Sequence, residues 1–223
     1  RWSLHCRCSR ARSNPDLAVE LWFVYSGVSH PDLSTARPPL TQFSDEELMF
    51  RDAVMAFANE DVRPRVRAME AAGKIDRELI DSCFELGLMG ITVPEVLGGA
   101  GGSLFMVAIA VEEISKVDPS AAIVVDVQNT LVNYPMLRYG SERQKALYMP
   151  RLTNGTMGAY ALSESGSGSD AFALATRAEQ RGDNWVLNGR KMWITMGAEA
   201  GIFIVFANAN PEAGYKGITA FIL

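Results

Sequence analysis

The chain has 223 residues, a formal net charge of −5 and a pI near 5.2, with 48% hydrophobic and 21% charged residues. That composition excludes wholesale disorder, and at ~150 residues per domain the length admits one or two domains. The acidic balance, with no basic face in the pattern, argues against a generic nucleic-acid binder. Three cysteines, Cys6, Cys8 and Cys83, cannot form a disulfide framework and fit a reducing compartment. The only two histidines, His5 and His30, leave no His-based zinc site or Ser-His-Asp triad in the body of the chain.

The sequence opens on Arg1, which is read as a start other than the natural one. Arg1, Arg7, Arg10 and Arg12 precede the first acid, Asp16, with Ser3, Ser9 and Ser13 between them. This composition suits a mitochondrial transit peptide and equally a disordered tail. Cys6-x-Cys8 without further ligands is weak evidence for metal. Leu17–Val28 is apolar but contains Glu20 and falls short of the ~20 residues a membrane crossing needs. Arg37-Pro38-Pro39 reads as a linker, so residues 1–39 are assigned as tail and linker.

Residues 40–155 read as an all-helical domain. Ser44-Asp45-Glu46-Glu47 is a capping box, and Phe50, Val54, Phe57 and Ala58 follow at helical spacing. Pro64 is expected to bend or end that helix. Arg77–Leu86 predicts a second helix stopped by Gly87. Pro94 and Gly98-Gly99-Ala100-Gly101-Gly102 predict a loop, and Leu104–Ile114 a buried helix. Asp118-Pro119 is an N-cap with proline at the first helical position. Ser141-Glu142-Arg143-Gln144 is a second capping box, and Asn154-Gly155 closes its helix.

Residues 156–223 read as a β-domain. Trp185-Val186-Leu187 and Met192-Trp193-Ile194-Thr195 flank Asn188-Gly189, which predicts a hairpin there, and Gly182-Asp183 marks an earlier turn. Ile202–Phe206 and Ile218–Leu223 have strand composition. The chain stops within the last of these, which predicts a truncated β-domain.

Three segments carry candidate chemistry. In Tyr160–Asp170 (YALSESGSGSD) the glycines allow backbone amides close to an anion, and the hydroxyls of Ser163, Ser167 and Ser169 add donors. This suits a diphosphate or a flavin edge, though a Ser/Gly-rich surface turn has the same composition. Neither a G-x-G-x-x-G after a strand nor a G-K-[ST] occurs, so neither a Rossmann site nor a P-loop is indicated. Trp193-Ile194-Thr195 offers a flat apolar wall and a hydroxyl donor, or else a core Trp. Tyr215-Lys216-Gly217-Ile218-Thr219 places a Tyr at a strand entrance, where it could meet a ligand or simply turn the chain.

Taken in this order, these segments resemble the acyl-CoA dehydrogenases. Leu162-Ser163-Glu164-Ser165-Gly166-Ser167-Gly168-Ser169-Asp170 fits the family's flavin loop, and Asn188-Gly189-Arg190-Lys191-Met192-Trp193-Ile194-Thr195 its downstream motif. Gly87–Ile91 with Pro94-Glu95 and Gly98-Gly99, and Val111–Asp118, resemble its helical domain. The resemblance spans roughly Leu40–Leu223. Ser169–Leu174 and Tyr215–Thr219 look most like the short/branched-chain subfamily.

The resemblance implies an α+β fold: an N-terminal all-α helical domain, then a truncated β-barrel-like middle domain, without the family's C-terminal helical bundle. It implies FAD as cofactor, held by Tyr160, Ala161, Leu162, Ser163, Glu164, Ser165, Gly166, Ser167, Gly168, Ser169, Trp193, Ile194 and Thr195. In this reading Ser163 and Thr195 bond the flavin ring, with Thr195 near N5. Trp193 packs on the isoalloxazine, and Gly168 and Ser169 approach the diphosphate. Ser169 and Tyr215 contact an acyl-CoA substrate. The implied reaction is α,β-dehydrogenation of a short or branched acyl-CoA to the 2-enoyl-CoA. Electrons pass to an electron transfer flavoprotein, and the setting is a homotetramer in the mitochondrial matrix. The family's catalytic glutamate lies in the bundle, so no residue here is assigned as catalytic, none as a metal ligand, and the piece alone is expected to be inactive. An acyl-CoA oxidase-like flavoenzyme and a non-catalytic flavin or assembly module remain as alternatives.

Overall fold

The computed structural model describes residues 42–223. The transit-peptide-like segment, the Cys6-x-Cys8 pair and the Arg37–Pro39 linker therefore lie outside the described residues.

Helix α1 (Asp45–Phe57) begins at Ser44 with both halves of the predicted capping box formed, the Ser44 hydroxyl accepting from the Glu47 amide at 3.2 Å. A π-helical turn (Ala58–Val62) leads directly into α2 (Arg63–Ala72). The helical run therefore continues past Pro64, with a π turn just before it. The proline sits at the start of α2, and the extra residue of the π turn accommodates its missing N–H and its ring. Helix α3 (Arg77–Glu85) is capped by Asp76 and stopped by a left-handed Gly87, as predicted. Helix α4 (Leu104–Ser115) starts at Ser103, and α5 (Pro119–Asp126) at Asp118, whose carboxylate accepts from the Ser120 and Ala121 amides. A second π-helical segment (Val127–Asn133) runs into α6 (Tyr134–Tyr139), and α7 (Glu142–Leu152) opens on the second capping box.

The segment Val127–Asn133 is the joint of the molecule. Its three amide side chains, Gln128, Asn129 and Asn133, are almost fully buried. Asn129 donates to the Leu88 and Val125 carbonyls, both at 2.8 Å, and accepts from the Ile91 amide at 2.9 Å. Asn133 donates to the Met89 carbonyl at 2.8 Å. Together they hold the turn Leu88–Ile91, which forms no long element and has no other way to satisfy these backbone groups. Gln128 donates to the Leu152 and Thr156 carbonyls and accepts from the Gly158 amide at 2.9 Å. One side chain thus ties the last helix to the first strand.

Beyond it lies a five-stranded sheet of β1 (Gly158–Ala161), β2 (Arg177–Arg181), β3 (Asn184–Asn188), β4 (Ile202–Asn208) and β5 (Ile218–Ile222). Strand β4 is central. β1 runs parallel along its first half, β2 meets the same edge at Asn208, and antiparallel β5 covers the other edge. Ile202 and Ile204 on β4 pack with Val93, Val132, Met149 and Leu152, so the sheet and the helices share an apolar cluster.

The hairpin falls elsewhere than the Asn188-Gly189 signal predicts. β2 and β3 pair antiparallel around the turn at Gly182-Asp183, with Gln180 opposite Trp185. Met192–Thr195 is not a strand. At Gly189 a Cβ would overlap the Thr176 side chain, so the chain leaves β3 there and passes beside Thr176 instead of turning back.

Replacing Gln128 by Leu keeps the volume but strips the Gly158 amide and the Leu152 and Thr156 carbonyls of their partner. We expect a loss of about 3 kcal/mol of unfolding free energy, read from urea titration with an unchanged m-value. A loss well under 1 kcal/mol would mean that apolar contacts alone hold the joint.

Candidate functional site

The loop after β1 and the loop after β3 lie far apart in sequence, and hydrogen bonds bring them together. The Met192 amide donates to the Ser163 carbonyl at 2.9 Å. The Lys191 ammonium donates to the Leu162 carbonyl at 2.9 Å and to Glu164 Oε1 at 2.8 Å. Both side chains of that ion pair are largely buried. Glu164 further accepts from the Ala175 amide at 2.6 Å, the Thr176 amide at 3.0 Å and, at short range, the Thr176 hydroxyl. One carboxylate thus binds three chain segments.

Burial by itself would raise the Glu164 carboxyl. The Lys191 ammonium, the Thr176 hydroxyl and the amides of Ala175 and Thr176 outweigh it and bring the pKa from 4.5 down to about 2. A base works best with a pKa near the operating pH and a free path to its proton, and Glu164 has neither. It is a structural anion.

Between Glu164 and Ser167 the backbone makes a two-residue turn, with reciprocal bonds of 2.9 and 3.1 Å. Ser167 is buried and its hydroxyl donates to the Asp170 carbonyl at 2.9 Å. It therefore closes the loop, which corrects the expectation that it supplies a free donor. Ser165, Gly166, Gly168 and Ser169 are exposed, and a Cβ at either glycine would meet open space. No hydrogen bond from a described residue occupies the hydroxyl of Ser163, Ser169 or Thr195.

Tyr160 tilts against Phe206, with centroids 4.9 Å apart, and Ala161 is buried in β1, so these two offer a ligand mainly their backbone. Leu162 and Ile194 are half-buried. Trp193 is neither a core residue nor a strand residue: it is 86% exposed and holds φ at 60°. Met196, three residues on, also has positive φ, at 55°. For bulky side chains that conformation costs ~1–3 kcal/mol each and is a mark of functional segments. Tyr215 is exposed on the loop between β4 and β5, with Phe172 tilted against it.

The structure thus unites Leu162–Glu164 with Lys191–Met192 and leaves Trp193 standing free. Residue patterns alone did not single out Lys191, Thr176 or Phe172. Lys191 and Phe172 carried a signal, since they lie inside the second motif and inside Ser169–Leu174, whereas Thr176 carried none until the loop around it was closed. Among the described residues no cluster of His, Cys, Asp and Glu could hold a metal ion, and no helix is long and apolar enough to cross a membrane.

This arrangement can be set beside known proteins. The acyl-CoA dehydrogenase N-terminal domain matches residues 44–156 and the acyl-CoA dehydrogenase middle domain residues 159–223. The chain belongs to the acyl-CoA dehydrogenase family. A probable short/branched chain specific acyl-CoA dehydrogenase from Dictyostelium discoideum is 50% identical over 186 residues, covering 83% of this chain and 45% of that protein. The mitochondrial short/branched chain specific enzyme from Bos taurus is 46% identical over 185 residues, covering 83% and 43%. Among solved structures, butyryl-CoA dehydrogenase from Megasphaera elsdenii superposes with a TM-score of 0.78 at 35% identity, covering 82% of this chain and 49% of that one. The chain therefore spans about half the length of these relatives. FAD is the cofactor of the family.

The depressed Glu164 pKa has a stability consequence whose sign follows from linkage. A carboxyl with a lower pKa in the folded state adds stability that is fully present above about 4.5 and is lost as pH falls toward 2. The amount at neutral pH is about 3 kcal/mol. Glu164→Gln is expected to be less stable than the parent by roughly that amount at pH 7, with the gap shrinking as pH drops from 5 toward 2. Urea titrations across that range test it, and a gap independent of pH would refute the assignment.

Proposed function

We propose that this chain supplies the cofactor-binding half of a flavin-dependent acyl-CoA dehydrogenase acting on short or branched acyl groups. The observation that carries the reading is the junction at Ser163 and Met192, which places a Gly/Ser-rich loop beside an exposed, backbone-strained Trp. The residues present fit FAD. Two glycines without neighbours let backbone amides approach a diphosphate, with the Ser169 hydroxyl next to them. Ser163 and Thr195 have hydroxyls available to the polar edge of a flavin ring, and Trp193 has a free aromatic face.

When bound, FAD supplies the acceptor for the electron pair removed from the acyl chain. The protein's part is to orient and to exclude water. Thr195 and Ser163 fix the ring by hydrogen bonds, Trp193 covers it, and Gly168 and Ser169 hold the diphosphate. Ser169 and Tyr215 contact the acyl-CoA. Glu164 holds both loops in place and takes no proton. Removing an α-proton requires a base elsewhere in the whole protein, so this chain alone is expected to be inactive.

The preference for a short or branched acyl group rests on the two relatives of that name. Electron transfer flavoprotein as acceptor, a homotetrameric assembly and the mitochondrial matrix complete the reading. Support for the last comes from the mitochondrial relative and from the Arg-rich, acid-poor start of the sequence.

The test is flavin content by absorbance, together with dye reduction by straight and 2-methyl-branched short acyl-CoA in the FAD-loaded whole protein to which this chain contributes. Thr195→Ala is expected to weaken FAD binding about 2- to 10-fold, the worth of one hydrogen bond, and to alter the flavin absorption band. Unchanged affinity and spectrum would remove Thr195 from the site, and no dye reduction with any acyl-CoA would sink the proposed activity. Residues 1–39 fused to a reporter should direct it to mitochondria; a cytosolic reporter would refute the targeting role.

A further inference from the structure

Phe172 and Tyr215 come from separate loops, yet their rings meet with centroids 5.1 Å apart and an interplanar angle of 44°. Both remain mostly in solvent, 68% and 58% exposed. Phe172 lies three residues after Ser169, the hydroxyl proposed to meet a phosphate. Lys216, beside Tyr215, is exposed and forms no ion pair with a described residue. Two open aromatic faces next to a cation and a phosphate-approaching loop match a ligand that carries a flat heteroaromatic ring on a phosphorylated sugar.

We propose that Phe172 and Tyr215 form a stacking platform for the adenine ring of the CoA portion, and that Asn208 is the residue that positions it. This rests on the acyl-CoA reading above and adds to it which part of the substrate the pair recognises and what holds the pair in place. Asn208 ends β4 and is buried. Its side chain donates to the Gly214 carbonyl at 3.0 Å and accepts from the Asn210 amide at 3.0 Å. It therefore spans the loop that carries Tyr215.

The loop is a 3-10 helical run, Pro211–Gly217, interrupted at Gly214 and closed at its base by the Ala209 amide donating to the Gly217 carbonyl at 2.8 Å. Gly214 has φ 59° and ψ −132°, a conformation open in practice only to glycine. At Gly217 a Cβ would overlap the Asn210 carbonyl, so the loop closes tightly on itself. The Asn208 backbone amide also donates to the Thr176 carbonyl at 2.9 Å, and Thr176 in turn bonds Glu164. The platform and the proposed flavin loop thus share one anchoring residue.

The test compares two non-oxidisable thioether ligands on the FAD-loaded protein, one an analogue of butyryl-CoA and the other its pantetheine counterpart, which lacks the adenine nucleotide. Affinities are read by calorimetry and flavin content by absorbance. The parent should prefer the CoA analogue. Phe172→Leu and Tyr215→Leu should each weaken that analogue about tenfold, the usual worth of one aromatic–base stack, and leave the pantetheine analogue and flavin content unchanged. Tyr215→Phe should keep the parent's preference. Asn208→Ala, with both rings present, should lower the preference as the Leu variants do; if it fails to fold, the Phe172 and Tyr215 variants still decide the platform.

Equal loss for both ligands, or no loss for either, would overturn the platform. So would Leu variants that lose stability but keep their CoA preference, since the rings would then serve to dock another part of the protein. A parent that carries flavin yet binds neither ligand would overturn the acyl-CoA reading itself.

Discussion

A carboxylate withdrawn from water must be given partners, and that requirement at Glu164 sets the geometry of the β-domain loops. Four donors reach it from two segments: Ala175 and the amide and hydroxyl of Thr176 before β2, and Lys191 after β3. Removing any one leaves a charge only partly compensated in a site where water cannot replace it, so the four are worth more together than separately. Lys191 is fixed in turn by the Leu162 carbonyl. The loops are thus held by charge-assisted bonds where no strand pairing is available to them.

The helical half meets the same demand with neutral groups. Gln128, Asn129 and Asn133 lie on one π-helical segment, and the wider turn of that segment presents their amides to the Leu88–Ile91 turn and to the start of β1. Apolar packing of Ile202 and Ile204 against Val93 and Val132 brings the halves together. It is non-directional, whereas the amides fix register. Hydrophobic burial sets the strength of the contact and the amides set its alignment.

How far the sequence reveals this depends on the range of each interaction. Both capping boxes, the Asp118-Pro119 start and the Gly87 stop were legible because each is decided within four residues. The family motifs pointed to both candidate loops for a similar reason: their residues are contiguous. The π turn before Pro64 was not legible because it has no local signature. Asn188-Gly189 was misread because a good turn dipeptide was overruled by a distant partner, Thr176, and by the pull of Glu164 on Lys191. The burial of Ser167 and the exposure of Trp193 were equally invisible, since hydroxyl and indole roles depend on where a loop closes.

Trp193 shows what that closure achieves. A free indole would turn its apolar face to the protein, and a relaxed backbone would leave the left-handed region. Here neither happens, because Met192, the preceding residue, is bonded to Ser163, and Lys191 before it is held by Glu164. Two residues of fixed backbone leave Trp193 little freedom to turn inward. The cost of strain and exposure is borne by a network that is buried a few ångströms away and does not itself need to touch a ligand. The same network continues through Thr176 to Asn208 and so to the loop of Tyr215. The exposed face of Trp193 and the loop of Tyr215 are thereby pre-set relative to each other by one carboxylate and one threonine.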